Sequence, residues 1–245
     1  MGNTLYLLDE EIITFPPVSK ALTNPDGLLA MGGNLKVDTL IEAYRSGIFP
    51  WFNHDEPVLW WSPDPRMILY PSEIHVSGSL KKLLKKRLYT VTMDSAFEQV
   101  IQACSEPRPT TDQTWITEDM KSAYLDLYQA GYAHSVEVWQ DTKLVGGLYG
   151  VALDKVFFGE SMFSRKPNTS KVALVYLCGL LRKKGFELLD CQVPSQHLSS
   201  LGARVIARQE FTKLLGSYCR TIASDANWKL DWQWTANIDE RTERP

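Results

Sequence analysis

The sequence holds few residues of the kinds that build metal or redox centres. There are four cysteines in 245 residues, Cys104, Cys178, Cys191 and Cys219, far apart and with no metal-ligand spacing. Three of them sit in apolar helical or strand-like settings, where a small buried thiol is the ordinary reading. A reducing compartment fits. The four histidines, His54, His75, His134 and His197, form no ligand cluster. Charge of one sign is not in excess either: 26 basic residues against 29 acidic give a net −3. A nucleic-acid partner would therefore need a local patch. No stretch approaches the roughly 18 uncharged apolar residues of a membrane span, and Asp9, Glu10 and Glu11 stand where a signal peptide would carry cations. A cytoplasmic protein with no membrane partner is expected.

What is present begins with a seam. Trp60-Trp61-Ser62-Pro63-Asp64-Pro65 places two prolines in three residues, which neither a helix interior nor a central strand accepts. It predicts a small N-terminal domain over residues 1–64 and a larger domain over 65–245. Residues 15–65 are dense in proline, glycine, aspartate and asparagine, so this part reads as irregular chain with short helical stretches at most. Asp38 can cap one of these, ended by Gly47. Phe49, Trp51, Phe52, Trp60 and Trp61 crowd behind it as a packed cap or a ligand wall.

A basic helix is predicted near residues 79–87. Lys81, Lys82, Lys85 and Lys86 share one face, and Leu80, Leu83 and Leu84 the other. A second helix starts near Thr117 and ends at Gly131. Residues 136–139, 144–152 and 156–163 read as three strands, joined by tight turns at Asp141-Thr142-Lys143 and Asp154-Lys155. There follow a helix over 170–184 with capping residues at Asn168, Thr169 and Ser170, and a central strand over 186–193. A short helical stretch near Gly202, a strand over 204–207 and a helix over 209–219 complete the large domain. The fold class is α/β (α+β), and the order meander, helix, strand, helix, strand is that of acetyltransferase-like (GNAT) domains.

Several blocks are more specific than this pattern. They are Phe15-Pro16-Pro17, Gly27-Leu28-Leu29-Ala30-Met31-Gly32-Gly33-Asn34-Leu35, Ala43-Tyr44-Arg45-Ser46-Gly47-Ile48-Phe49-Pro50-Trp51 and Trp60-Trp61-Ser62-Pro63. Phe157-Phe158-Gly159-Glu160-Ser161-Met162-Phe163, Leu189-Asp190-Cys191-Gln192 and Leu201-Gly202-Ala203 follow. Together, over roughly residues 5–220, they resemble the leucyl/phenylalanyl-tRNA–protein transferases. The resemblance implies transfer of Leu or Phe, sometimes Met, from aminoacyl-tRNA to a protein with N-terminal Arg or Lys, creating a bacterial N-degron. An ester is already activated, so no cofactor, ATP or metal is implied. A monomer is expected.

Residue by residue, Asp190 and Gln192 lie at i and i+2 of a strand and so face the same way; ordinary structure would make them a satisfied polar pair. The resemblance maps a catalytic relay onto them, Asp190 polarising Gln192, whose amide oxygen accepts from the attacking amine. Glu160 follows an apolar run, where an unpaired carboxylate is expensive to bury. An internal base could offset that cost; the resemblance points instead to the acceptor's N-terminal Arg or Lys.

Leu174, Leu177 and Leu181 share a helical face, and with Leu148, Phe157, Met162 and Leu189 they align with the family's aminoacyl pocket, although such a stripe also describes ordinary core. Phe157 and Met162 have opposite strand parity, so one pocket can take both only across a bulge, expected near Gly159. Trp51 and Trp115 match positions that contact the terminal adenosine of tRNA, with Tyr44 and Tyr124 as further candidates for that wall. Lys81, Lys82, Lys85, Lys86 and Arg87 could neutralise acceptor-stem phosphates, or simply be a solvated face.

Three other readings compete. An acetyl-CoA enzyme of this fold typically has a glycine-rich turn before the helix, and Arg165-Lys166-Pro167-Asn168-Thr169-Ser170 has no glycine. A non-catalytic RNA-binding module leaves Glu160, Asp190 and Gln192 unexplained. Peptidoglycan-bridge transferases usually have two such domains, and this chain has room for one. The tail after Arg220, including residues 228–234, matches no block and reads as packing on the surface.

Overall fold

The computed structural model describes residues 4–106, 116–221, 228 and 230. The N-terminal region is more regular than its composition predicts. β1 (Tyr6–Leu8) pairs in parallel with β2 (Leu28–Gly32), and α1 (Val37–Arg45) leads to β3 (Phe49–Pro50) and β4 (Leu59–Trp61). These strands make a four-stranded sheet in the order β1-β2-β4-β3. The expectation of irregular chain is corrected here. Strands of two to five residues, interrupted by positive-φ glycines and prolines, are too short to show an alternation of their own. Asp38 also moves: α1 begins one residue before it, Lys36 takes the cap position without a side-chain bond, and Asp38 sits in the first turn.

After the two prolines the chain enters a second sheet. β5 (Arg66–Leu69), α2 (Gly78–Lys85), β6 (Thr90–Met93), α3 (Phe97–Ser105) and α4 (Glu118–Gln129) come first. β7 (Ala133–Gln140), β8 (Lys143–Leu153) and β9 (Val156–Ser164) form the expected meander, turning at Asp141 and Asp154, both with positive φ. α5 (Thr169–Lys183), β10 (Leu188–Gln192), α6 (Gln196–Ser199), β11 (Arg204–Ile206) and α7 (Arg208–Tyr218) follow. The seven strands lie in the order β11-β5-β10-β9-β8-β7-β6. The element order expected for an acetyltransferase-like domain is thus present, within a mixed α/β architecture.

Helix placement follows from apolar spacing. α2 buries Leu80 and Leu84 and starts at Ser77, whose hydroxyl accepts from the Leu80 amide at 3.3 Å. α4 is capped in the same way, Thr117 accepting from the Met120 amide at 3.2 Å. α5 is capped less conventionally: Asn168 stands at the cap position in left-handed conformation, its side chain unbonded to the helix. Instead Thr169 Oγ1 donates to the Val145 and Lys166 carbonyls. α5 packs on one face of the large sheet and α3 and α4 on the other. The core on the α3–α4 side continues into the N-terminal sheet, joining Leu29, Tyr44 and Trp60 to Tyr124 and Phe158. Among the described residues no helix is long and apolar enough to cross a membrane. All four cysteines are buried, and none is in a disulfide among the described residues.

Candidate active site

The site lies where two parallel strands part. β10 pairs with β9 only from Leu188↔Val156 to Asp190↔Phe158. Beyond that rung each strand carries a bulge. On β9, Tyr149 faces Ser161 and Gly150 faces Gly159, so Glu160 is the extra residue. On β10, Asp190 faces Ile68 and Gln192 faces Met67, so Cys191 is the extra one, and Gln192 takes φ 61°. A cleft of about 710 Å³ opens at this parting, within the range of small-molecule sites. Its apolar wall includes Leu148, Phe157, Met162, Leu174, Leu177 and Leu189. The bulge at Glu160 reverses the parity after Gly159, which lets Phe157 and Met162 line one cavity as the sequence required.

Leu181 does not take part: it is fully buried and away from the cleft. The cavity meets only the first turns of α5, Ser170 to Leu177, and Leu181 lies about 6 Å further along the axis at 1.5 Å per residue.

Glu160 sits at the inner end of the polar edge, partly exposed to the cleft. Tyr44 donates to its Oε1 at 2.7 Å, Tyr124 to Oε2 at 2.6 Å, and Gln192 Nε2 to Oε1 at 3.0 Å. The two phenol oxygens are 2.5 Å apart. Among the described residues no base pairs with Glu160; tyrosine hydroxyls and an amide take that place. Burial is the main reason its carboxyl is pushed up to about 7, and the nearby Asp190 adds to it, against the tyrosine and Gln192 hydrogen bonds. The proton count agrees. Three close oxygen contacts join Tyr44, Tyr124 and Glu160, and the two hydroxyls bring one proton each. With Glu160 ionised both hydroxyls donate to it, and the Tyr44–Tyr124 contact holds none; a proton on Glu160 would fill the third. Burial, followed by the charge of Glu160, raises both tyrosines well above the ordinary phenol range.

Tyr44 and Tyr124 are consequently not part of an adenosine-contacting wall. Both are fully buried, their rings packed against Phe158 and Tyr149, and only the hydroxyls reach the site.

The Asp190–Gln192 relay needs a parallel correction. Asp190 and Arg66 are both fully buried and paired through two bonds, Nε to Oδ1 at 2.9 Å and Nη2 to Oδ2 at 2.6 Å. Oδ1 also accepts from the Gln192 backbone amide at 3.0 Å. The carboxylate therefore fixes the main chain of Gln192, whose side chain turns to Glu160. The reason is the bulge at Cys191, which breaks the regular i, i+2 alternation. Arg66 was absent from the sequence reading. It lies between the rings of Phe49 and Phe211 and donates to the Gly47 carbonyl at 3.1 Å. Its signal was available: one cation in the apolar tetrapeptide Arg66-Met67-Ile68-Leu69 raises the same cost of burial that marked Glu160.

The family model for "Leucyl/phenylalanyl-tRNA protein transferase" matches residues 68–216, and that for its N-terminal domain matches residues 33–64. A leucyl/phenylalanyl-tRNA–protein transferase of Pseudomonas fluorescens (strain Pf0-1) is 56% identical over 87% of this chain and 95% of the relative. One from Nitrosomonas eutropha is 54% identical over 90% and 94%. The chain belongs to the leucyl/phenylalanyl-tRNA–protein transferase family.

It is accordingly an aminoacyltransferase, with an aminoacyl-tRNA donor and a protein acceptor. Solved structures give a more distant likeness. A GCN5-related N-acetyltransferase from Kribbella flavida matches with TM-score 0.40 and 12% identity, over 67% of this chain and 58% of that one. FemX matches with TM-score 0.43 and 11% identity, over 72% and 70%.

The remaining family positions are placed unevenly. Trp51 is 43% exposed, its ring 5.6 Å from that of Trp61. Trp115 lies outside the described residues. Lys82, Lys85, Lys86 and Arg87 are exposed and Lys81 half-buried. Arg87, with φ 50°, falls just past the helix end rather than on its face. α2 packs against α5, whose first turns line the cleft.

Proposed function

We propose that this chain transfers Leu or Phe, and also Met, from aminoacyl-tRNA to the α-amino group of proteins beginning with Arg or Lys, creating an N-degron in the bacterial cytoplasm. The observation that carries the reading is the Glu160–Gln192 contact at the edge of an apolar cleft. Leu148, Phe157, Met162, Leu174, Leu177 and Leu189 hold the amino-acid side chain. The thioether of Met162 re-packs around either Leu or Phe. Glu160 attracts the cationic side chain of the acceptor's N-terminal Arg or Lys; a neighbouring cation favours the ionised carboxylate over the protonated one.

Gln192 orients the amine against the ester carbonyl. Asp190 is a positioning residue, held by Arg66 and holding the Gln192 backbone in its left-handed conformation. Binding of the acceptor cation beside Glu160 stabilises its charge, and the amine that attacks must be neutral. The product amide forms as the ester C–O bond breaks, and the proton lost by the amine accompanies the departing ribose oxygen. Trp51 and Trp115 stack on the terminal adenosine, a contact worth roughly 1–3 kcal/mol per base. Lys81, Lys82, Lys85, Lys86 and Arg87 neutralise phosphates without reading bases. The chain acts as a monomer, without a cofactor, with residues 1–64 and 65–245 as its two domains.

The test is a set of initial rates with peptides beginning Arg, Lys or Ala, for the native protein and for Glu160→Gln. The reading predicts a raised KM for the Arg and Lys peptides in the variant. Equal KM values for all three peptides in the native protein would refute the acceptor assignment.

A further inference from the structure

The C-terminal tail inserts one side chain into the core, where surface packing was expected. Trp228 is 1% exposed, although it follows the family-model match, which ends at residue 216. Its ring stacks on His134 at 3.9 Å and 10°, meets Phe186 edge-on at 5.6 Å and lies 5.7 Å from Phe157. The Lys184 ammonium approaches it at 5.6 Å. Among the described residues the indole Nε1 finds no hydrogen-bond partner, and neither does Nε2 of the histidine beneath it. A buried polar N–H left unpaired is costly, so the ring holds its place through shape rather than hydrogen bonding.

Among these neighbours Phe157 also lines the cleft, and Trp228 itself does not. The Phe157 ring has little freedom. It crosses Gly150 so closely that a Cβ there would lie 2.5 Å from the ring, which closes the direction toward β8. Trp228 closes another. A further side faces the cavity, which Phe157 lines. A ring pressed between backbone and an indole, with a cavity beside it, loses part of its support when the indole is removed, because side chains around a new void relax into it.

We infer that Trp228 is a specificity-determining residue, acting through Phe157 to limit the depth of the pocket for the transferred amino-acid side chain. This rests on the reading of the cleft as the aminoacyl pocket. Without the indole, Phe157 retreats and the pocket deepens, which favours the larger aromatic side chain over leucine.

The experiment measures kcat/KM for Phe-tRNA and Leu-tRNA with one Arg-starting acceptor. Trp228→Ala should raise the Phe-to-Leu ratio by about fivefold or more, as expected for a change of a few methylene volumes in an apolar pocket. Trp228→Phe, which keeps a ring behind Phe157, should change it by less than about twofold. Should Trp228→Ala fail to fold, Trp228→Leu is read in its place. A tail that only stabilises the fold would lower both rates together and leave their ratio unchanged. Leu177→Ala, a direct change in the cavity wall, separates the two levels. A shifted ratio in Leu177→Ala with none in the Trp228 variants overturns this inference and leaves the pocket reading standing. No shift in any of them overturns both.

Discussion

Replacing Glu160 by Gln tests the electrostatics of the site through stability rather than turnover. Glutamine preserves the shape and an acceptor for the tyrosines, and removes the titration. The Glu160 carboxyl stands at about 7 in the folded protein against an ordinary value of 4.5. A folded value above the unfolded one means that the folded state binds the proton more tightly. The associated stability is fully present below pH 4.5 and is lost as pH rises to 7. A shift of 2.5 units corresponds to about 3.4 kcal/mol, and one edge of Glu160 faces the cleft, so about 2 kcal/mol is a reasonable share between pH 5 and 8. Urea unfolding followed by tryptophan fluorescence at pH 5, 6, 7 and 8 gives the comparison. The stability of Glu160→Gln relative to the native protein should improve by about 2 kcal/mol across that window. A difference that is constant with pH, or that moves the other way, would refute the buried, proton-sharing arrangement with Tyr44 and Tyr124.

Further outcomes follow from other contacts. Asp190→Ala leaves the Arg66 guanidinium buried without its partner and should cost about 3–5 kcal/mol in urea unfolding, while Arg66→Met combined with Asp190→Leu should cost much less than the two single changes summed. Full transfer rates in both Asp190→Ala and Asp190→Asn would remove Asp190 from the mechanism even as a positioning residue. Gly150→Ala drives a methyl against the Phe158 carbonyl and the Phe157 ring; it should destabilise by about 2 kcal/mol or more and raise KM for aminoacyl-tRNA. Changing Lys81, Lys82, Lys85 and Lys86 to Ala should weaken tRNA binding and flatten the slope of log affinity against log salt by up to about 3. Unchanged binding would make α2 a solvated face.

The large domain was legible where its pattern was long. β7, β8 and β9 run over eight to eleven residues rich in β-branched and aromatic side chains and turn at aspartates that tolerate positive φ. The opposite parity of Phe157 and Met162 was enough to demand a bulge, and the bulge is Glu160 itself. α3 was legible too but passed unread: Phe97, Val100, Ile101 and Cys104 follow the i, i+3, i+4, i+7 spacing and are all buried. The short strands β1 to β5 were not legible, since two to five residues carry no period and their pairing partners are remote. The site's polar half depends on such distant meetings. Tyr44 and Tyr124 lie 116 and 36 residues from Glu160, and Arg66 lies 124 from Asp190. Tyr44 and Tyr124 were legible only as candidates for an aromatic wall, and Arg66 passed unread; tertiary contact alone turns the hydroxyls onto one carboxylate. The Asp190–Gln192 alternation failed for a local reason, the extra residue Cys191 in β10.

The central claim is the transfer reaction with its N-terminal selectivity, and one measurement addresses it directly. Radiolabelled Phe is supplied as Phe-tRNA to two otherwise identical proteins, one beginning with Arg and one with Ala. The account predicts labelling of the Arg protein alone; labelling of both, or of neither by a folded preparation, would contradict it.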